Sequence, residues 1–128
     1  MRKKYLGVDW GEKRIGLALA DSETGIAVPF KTVEAAAEVA KVVKDEEVDV
    51  VVVGRPGRIT NYELQITNKK YNKFIDDLKK KITVPIKLVD ERLSSKAADA
   101  LPGDKKTKSS RDEIAAMLIL QSYLDKKA

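Results

Sequence analysis

Two residue types are missing from this chain, whose 128 residues include neither cysteine nor histidine. The lack of cysteine excludes disulfides, zinc-thiolate sites and thiol nucleophiles. The lack of histidine excludes a Ser-His-Asp triad, a histidine general base and histidine-ligated zinc or iron. Any catalysis must therefore use carboxylates, lysine, tyrosine, hydroxyl groups or a metal ion held by oxygen ligands.

Long apolar runs are missing as well, since none approaches the roughly 18 residues of a membrane span. The chain begins Met-Arg-Lys-Lys-Tyr without a cleavable hydrophobic segment, so we expect a cytoplasmic protein with no membrane partner. With 43% hydrophobic residues, residues 1–128 are expected to form a single domain. The 25 Lys and Arg against 20 Asp and Glu give a formal charge of +5, which mildly favours a polyanionic partner.

The first half of the chain predicts an antiparallel meander followed by a helix. Leu6 to Asp21 reads as two short apolar strands joined by a tight polar turn. Ile26 to Val33 predicts a third strand, which Pro29 places at a sheet edge because proline cannot donate to the ladder. Glu34 to Glu46 then changes to helical spacing.

The second half alternates strands and helices. Val48 to Gly54 is a continuous β-branched run, which is typical of a central strand buried on both faces. Tyr71 to Ile82 predicts a helix whose lysines form a solvated outer face. Val84 to Val89 predicts a fifth strand. Strand-helix-strand connections are almost always right-handed, so the fourth and fifth strands should run parallel to the first.

The last predicted element is a helix that begins at Ser110, which has capping-box spacing to Glu113. Its expected inward face consists of Ile114, Met117, Leu118 and Leu124. The chain is therefore predicted to be an α/β protein with a mixed five-stranded sheet, an antiparallel three-stranded meander plus two parallel strands, flanked by helices.

Several polar residues fall at one rim of this predicted sheet, and each has two interpretations. Asp9 ends the first strand, where it either ligates a hard cation such as magnesium or caps the turn. The loop that begins at Gly54 and Arg55 either binds a ligand or is an ordinary turn. Of Asp90 and Glu91, at most one side chain can easily join Asp9, because neighbours in an extended chain point to opposite faces. Asp112, in the first turn of the last helix, either joins the cluster or complements the helix dipole.

Four ordered motifs across nearly the whole chain resemble the YqgF family. They are Leu-Gly-Val-Asp-Trp-Gly-Glu-Lys-Arg-Ile-Gly-Leu-Ala, Val-Val-Val-Gly-Arg-Pro, Leu-Val-Asp-Glu-Arg-Leu-Ser-Ser and Arg-Asp-Glu-Ile-Ala-Ala-Met-Leu-Ile-Leu-Gln-Ser-Tyr-Leu. Members are described as Holliday-junction-resolvase-like proteins with an RNase H-like fold, and as nucleases that mature pre-16S ribosomal RNA. The resemblance therefore implies a nuclease.

The resemblance also implies which residues form the site. Its acidic set would be Asp9, Glu91 and Asp112, which would serve as catalytic residues and metal ligands. The basic companions that would bind substrate are Lys13, Arg14 and Arg92. The chain departs from the family pattern at Arg55, since members usually have Gly-Leu-Pro there, and Arg55 is a further candidate for substrate binding.

The chemistry implied is phosphodiester hydrolysis with Mg²⁺ or Mn²⁺. These ions are bound by oxygen ligands, which a chain without histidine and cysteine can still supply. The expected substrate is a structured nucleic acid, more specifically the 5′ end of a pre-16S rRNA, with the small ribosomal subunit as a candidate partner. Two alternatives stay open: a Holliday junction resolvase acting on four-way DNA, and a non-catalytic RNA-binding module with the same fold. A phosphotransferase of the actin and sugar-kinase type needs two related domains, for which the chain is too short.

Overall fold

The fold is a twisted sheet with helices on both faces, seen in a computed structural model that describes residues 2–11, 13–55, 61–90 and 111–127. At residues 55, 61–68, 90, 111 and 127 the backbone alone is described. The elements, in chain order, are β1 Lys4–Trp10, β2 Ile15–Asp21, β3 Val28–Val33, α1 Ala36–Asp45, β4 Val50–Arg55, α2 Asn61–Lys81, β5 Ile86–Asp90 and α3 Arg111–Lys127. No helix in these ranges is both long and apolar enough to cross a membrane.

The sheet has the strand order β3-β2-β1-β4-β5. β1, β2 and β3 form an antiparallel meander, while β4 pairs with β1 and β5 pairs with β4 in parallel. The predicted mixed five-stranded sheet is therefore confirmed. The chain reaches β4 through α1 and β5 through α2, so the parallel strands extend the sheet beside β1 and β3 stays at the opposite edge.

Pro29 lies in the edge strand β3, as predicted. It is the partner of Ala18, and the register between β2 and β3 shifts between Leu17 and Ala18. An edge strand tolerates this irregularity because one side of its backbone has no ladder to maintain. β5 forms the other edge, where Leu88 is 48% exposed.

The two faces of the sheet pack differently. Leu6 and Val8 point to the face covered by α1 and α2, where Phe74 and Leu78 close the larger core. Alternate residues of β1 point to the other face, which α3 covers. The fully buried side chains of the larger core include Leu6, Ile15, Leu17, Leu78, Val8, Val39, Val51 and Val53.

The predicted inward face of the last helix is wrong in part. Ile114 and Leu124 are buried as expected, but Met117 and Leu118 are only half-buried. The helix instead buries mainly Ala116, Ile119 and Leu120, each 0% exposed. Apolar residues lie on several sides of this helix, so periodicity alone left its rotation open, and the close seat on β1 and β2 decides it. Ser110, the predicted cap, lies outside the described residues.

α2 is longer than its periodicity predicted, since it begins at Asn61 and not near Tyr71. The apolar spacing that marks the second half, at Tyr71, Phe74, Ile75 and Leu78, is also the part that packs into the larger core. The first half carries a weaker apolar pattern, which explains why spacing did not predict it.

A buried and an exposed leucine test the core assignment. Leu78→Ala is expected to lower the free energy of unfolding by about 2–5 kcal/mol, because Leu78 is 0% exposed and its loss leaves a cavity. The matched control Leu88→Ala, at the exposed edge, should cost about 1 kcal/mol or less. Urea unfolding of both variants measures the difference, and equal losses would contradict the assigned core.

Asp21 gives the fold a dependence on pH. Its carboxylate accepts hydrogen bonds from the backbone N–H groups of Thr24 at 3.1 Å and Glu23 at 2.9 Å, and pairs with Arg2 at 3.0 Å. The Thr24 N–H above all, helped by Glu23 and Arg2, holds the pKa of Asp21 below its ordinary value of 3.8 against the opposing effect of desolvation.

A carboxyl group whose pKa is lowered by folding stabilises the protein above its unfolded pKa, and this contribution disappears as the pH falls through the folded pKa. We therefore expect the stability difference between wild type and Asp21→Ala to be constant near neutral pH and to shrink below about pH 4. Urea unfolding across an acid pH series measures it. A difference that does not change between neutral and acid pH would show that the carboxylate charge is not responsible.

Candidate active site

Asp9 lies near the end of β1, at the rim of the sheet. Side chains alternate along a strand, so Asp9 shares a face with Tyr5 and Gly7. This is the face covered by α3, because Tyr5 belongs to the core that α3 closes. Asp9 is half-buried and its Oδ1 atom is buried. The Asp9 side chain therefore lies at the rim of the sheet, on the face that carries α3.

Asp112 is brought to Asp9 by the packing of α3 on Gly16. Gly16 is the cross-strand partner of Asp9. A Cβ atom built on Gly16 would overlap the backbone carbonyl group of Asp112 and lie 2.9 Å from the Asp112 Cβ. Since directly opposed residues have Cβ positions about 5 Å apart, the Cβ atoms of Asp9 and Asp112 are within about 8 Å of each other. The structure therefore brings two of the three predicted acids together.

Two further contacts fix α3 in this position. A Cβ on Gly7 would lie 2.7 Å from both the Ala116 carbonyl oxygen and the Leu120 Cβ, so the helix also touches β1 closely. Thr32 Oγ1 in β3 donates a hydrogen bond to Glu113 Oε2 at 2.9 Å. These contacts hold both the first turn and the middle of the helix.

Gln121 fastens the second half of α3 to the segment before β3. Its Nε2 donates to the Gly25 carbonyl at 2.9 Å, and its Oε1 accepts from the Ala27 N–H at 2.9 Å. One side-chain amide thus satisfies two backbone groups of a connecting segment. These two hydrogen bonds favour one position of the helix along the sheet.

Arg14 adds a positive charge beside the acids. It directly precedes β2, and its Nε lies 3.4 Å from Asp112 Oδ2. The Arg14 side chain is 69% exposed and that of Asp112 is 31% exposed, so the guanidinium group remains accessible from solvent. Lys13, its neighbour, is exposed. Gly11 permits the tight turn before them, because a Cβ there would lie 2.8 Å from the Arg14 carbonyl oxygen.

The other predicted site residues are described only in part. Arg55 ends β4, and its backbone is in register with Asp90 at the end of β5. The ends of β1, β4 and β5 therefore share a rim, as the topology predicted. The Arg55 side chain, Glu91 and Arg92 lie outside what the structure describes. Within the described ranges, no three acidic residues lie close enough together to hold a metal ion.

The chemistry of the pair fits a hard cation in part. Asp9 and Asp112 offer carboxylate oxygens from two different elements, and these are the ligands that Mg²⁺ and Mn²⁺ prefer. Mg²⁺ is usually bound by one or two carboxylates together with water and substrate phosphates, so two acids suffice to begin a site. The separation of the two Cβ atoms is short enough for one ion to contact both carboxylates.

Sequence patterns missed the contacts that hold α3. Gly16 could be read as allowing close approach of the hairpin or as ordinary strand packing, and its contact with Asp112 depends on the path of a helix about 95 residues later. Thr32 and Gln121 carried no signal, because a polar residue on an edge strand or a helix is most often solvated. Their partners become visible only in the folded chain.

The chain matches the family model described as "RuvX: Holliday junction resolvase" over residues 3–126. A "Putative pre-16S rRNA nuclease" of Maridesulfovibrio salexigens is 35% identical, and the match covers 94% of this chain and 97% of that protein. Proteins with the same name in Methylobacillus flagellatus and Chlamydia abortus are each 38% identical. Those matches cover 94% and 96% of this chain and 89% and 91% of the relatives.

Solved structures are similar to this chain in fold at low sequence identity. T. thermophilus RuvC in complex with a Holliday junction substrate has a TM-score of 0.69 at 16% identity, covering 97% of this chain and 95% of that chain. The Fowlpox virus resolvase in complex with Holliday junction DNA has a TM-score of 0.57 at 16% identity, covering 97% and 98%. Together with the sheet order, these likenesses confirm the predicted RNase H-like fold.

Proposed function

This chain belongs to the RuvX family, and on that premise we propose that it is a divalent-metal-dependent endonuclease that hydrolyses phosphodiester bonds in structured RNA. The observation that carries the proposal is the approach of Asp112 to Asp9 across Gly16. The proposed substrate is the 5′ end of a pre-16S rRNA, supported by the names of relatives that are 34–38% identical.

The proposed site combines two acids from the described residues with a third from the adjoining segment. Asp9 and Asp112 would hold the cation, and Glu91, one residue beyond β5, would complete the set. When bound, a divalent ion generates a nucleophile from water at neutral pH and stabilises charge on the phosphate. This chemistry needs neither a protein nucleophile nor an imidazole base, so it is compatible with a chain that has no histidine.

The chain's basic residues would position the nucleic acid. Arg14 and Lys13 are exposed in the turn next to the acids, so their charges can neutralise phosphates that flank the cut bond. Arg55 and Arg92, at or beyond the ends of β4 and β5, would do the same along the rim. Such contacts give binding that depends on salt and little on sequence.

A second candidate function is cleavage of a four-way DNA junction, which the family description favours. Solved complexes with Holliday junction DNA support it only through the fold, because the identity is 16%. The names of the more similar relatives favour RNA, and a small ribosomal subunit particle is a natural carrier of such a precursor. A direct comparison of the two substrates distinguishes these functions.

Replacement of one acid tests the proposed mechanism. Asp9→Asn keeps the shape of the side chain but removes its charge, so metal-dependent cleavage of a 5′-extended small-subunit rRNA fragment should fall by more than about 100-fold. RNA affinity should be nearly unchanged. Cleavage in Mg²⁺ or Mn²⁺ is measured beside a four-way DNA junction, with the RNA supplied both free and in small-subunit particles.

The matched control is Asp45→Asn, which removes an exposed carboxylate at the end of α1, where the chain leads into the beginning of β4. This variant should cut as the wild type does. Cleavage of the junction in place of the RNA would select the resolvase function. Equal cleavage by wild type and Asp9→Asn, or no cleavage of either substrate by the wild type, would reject the carboxylate mechanism and favour a binding module.

Two arginines test the proposed phosphate contacts. Arg14 and Arg2 both form ion pairs and have side chains 69% and 63% exposed, but they lie at opposite ends of β1. Arg14→Gln should lower the slope of log affinity against log salt concentration by about one for the same RNA. Arg2→Gln should leave that slope unchanged. Affinities measured across a salt series decide, and equal slopes for the two variants would contradict a specific contact by Arg14.

A further inference from the structure

The α3-facing positions of β1 and β2 are occupied by small residues next to the candidate acid. Gly7 is paired with Ala18, and Asp9 is paired with Gly16. Ala18 is 0% exposed, in contact with the α3 core. The helix therefore lies on a strip of backbone and methyl groups, with one carboxylate at the end of the strip.

Gly16 is required for space and not for backbone conformation. Among the described glycines, a positive φ occurs only at Gly25, so any residue type could adopt the backbone of Gly16. A side chain there would nevertheless overlap the Asp112 backbone, including its carbonyl group. Because the obstacle is helix backbone and not a flexible side chain, α3 itself would have to move.

The position of this contact distinguishes it from the other close contact of the helix. Gly16 touches the residue whose carboxylate is a candidate ligand, whereas Gly7 touches Ala116 and Leu120, one to two turns farther along α3. The first turn is also tied down at its other side by the 2.9 Å hydrogen bond from Thr32 to Glu113. A side chain at residue 16 would therefore displace the turn that carries Asp112.

We propose that Gly16 is a positioning residue, whose missing side chain sets the separation between the Asp9 and Asp112 carboxylates and thereby the affinity of the site for a divalent cation. This inference rests on the proposed metal-dependent function. It assigns to Gly16 no contact with substrate or metal. A displacement of Asp112 by about 1 Å is sufficient to lower a rate by about 100-fold when two groups must act together.

The test compares Gly16→Ala with Gly7→Ala, which places the same methyl group under the same helix away from the acids. Gly16→Ala should weaken Mn²⁺ binding, measured by calorimetry on the folded protein, by about tenfold or more. It should lower kcat for RNA cleavage by about 100-fold with little change in KM. Gly7→Ala, whose methyl group meets α3 one to two turns beyond Asp112, should also lose thermal stability but should weaken Mn²⁺ binding and lower kcat clearly less than Gly16→Ala.

A double-variant comparison shows whether Gly16 acts through the Asp112 carboxylate. In an Asp112→Ala background, Gly16→Ala should cause no further loss of Mn²⁺ affinity, because the ligand it positions is already absent. If Gly16→Ala does not fold, Thr32→Val serves as a milder variant. It loosens the same turn without overlap, and should weaken Mn²⁺ binding while leaving RNA binding unchanged.

The results distinguish failure of the positioning role from failure of the proposed nuclease function. Equal losses of Mn²⁺ affinity in Gly16→Ala and Gly7→Ala, additive losses in the Asp112→Ala background, or a Thr32→Val variant with wild-type affinity would overturn the positioning role while leaving the nuclease function intact. A wild-type protein that neither binds Mn²⁺ nor cuts RNA would overturn the proposed function, and the positioning role with it.

Discussion

The close seat of α3 on β1 and β2 is the constraint on which the candidate site depends. It exists because the sheet presents glycine and alanine to this helix, so that backbone meets backbone at Gly16 and Gly7. The arrangement has a cost, since glycine in a strand destabilises by about 0.5–1 kcal/mol relative to alanine and buries no side chain. The opposite face, where Leu6 and Val8 meet α1 and α2, supplies the larger apolar core. The face covered by α1 and α2 therefore holds the larger core, while the α3 face combines a smaller core with the candidate acids.

Much of this architecture follows from sequence alone, for reasons that are local. The β-branched run predicts β4 as a central strand, the proline predicts β3 at an edge, and the general preference for right-handed crossovers predicts that β4 and β5 run parallel to β1. The rotation of α3 does not follow in the same way. Ile119 and Leu120 are as apolar as Met117 and Leu118, and the choice between them depends on which residues of β1 and β2 leave room for the helix.

The candidate site was predictable to the same degree. The shared rim of β1, β4 and β5 follows from parallel pairing, whereas the functional roles that the family resemblance implies for Asp9, Glu91 and Asp112 stay predictions. The contact between Gly16 and Asp112 could not be predicted from residue spacing, because the two residues are far apart in the chain and a glycine in a strand has several explanations. The contacts of Thr32 and Gln121 could not be predicted for a related reason, because the sequence does not indicate which group a polar side chain will bond to in the folded protein.

The electrostatics of the site follow from the same contact. Two carboxylates whose Cβ atoms are within about 8 Å of each other repel, and two features of the fold offset this repulsion. The N-terminal end of α3 brings the positive end of the helix dipole to Asp112 and towards Asp9. Arg14 approaches Asp112 at 3.4 Å, but an ion pair this exposed contributes at most about 1 kcal/mol. Arg14 therefore steadies the acids without blocking them, and a cation or a phosphate can compete for either partner of the pair.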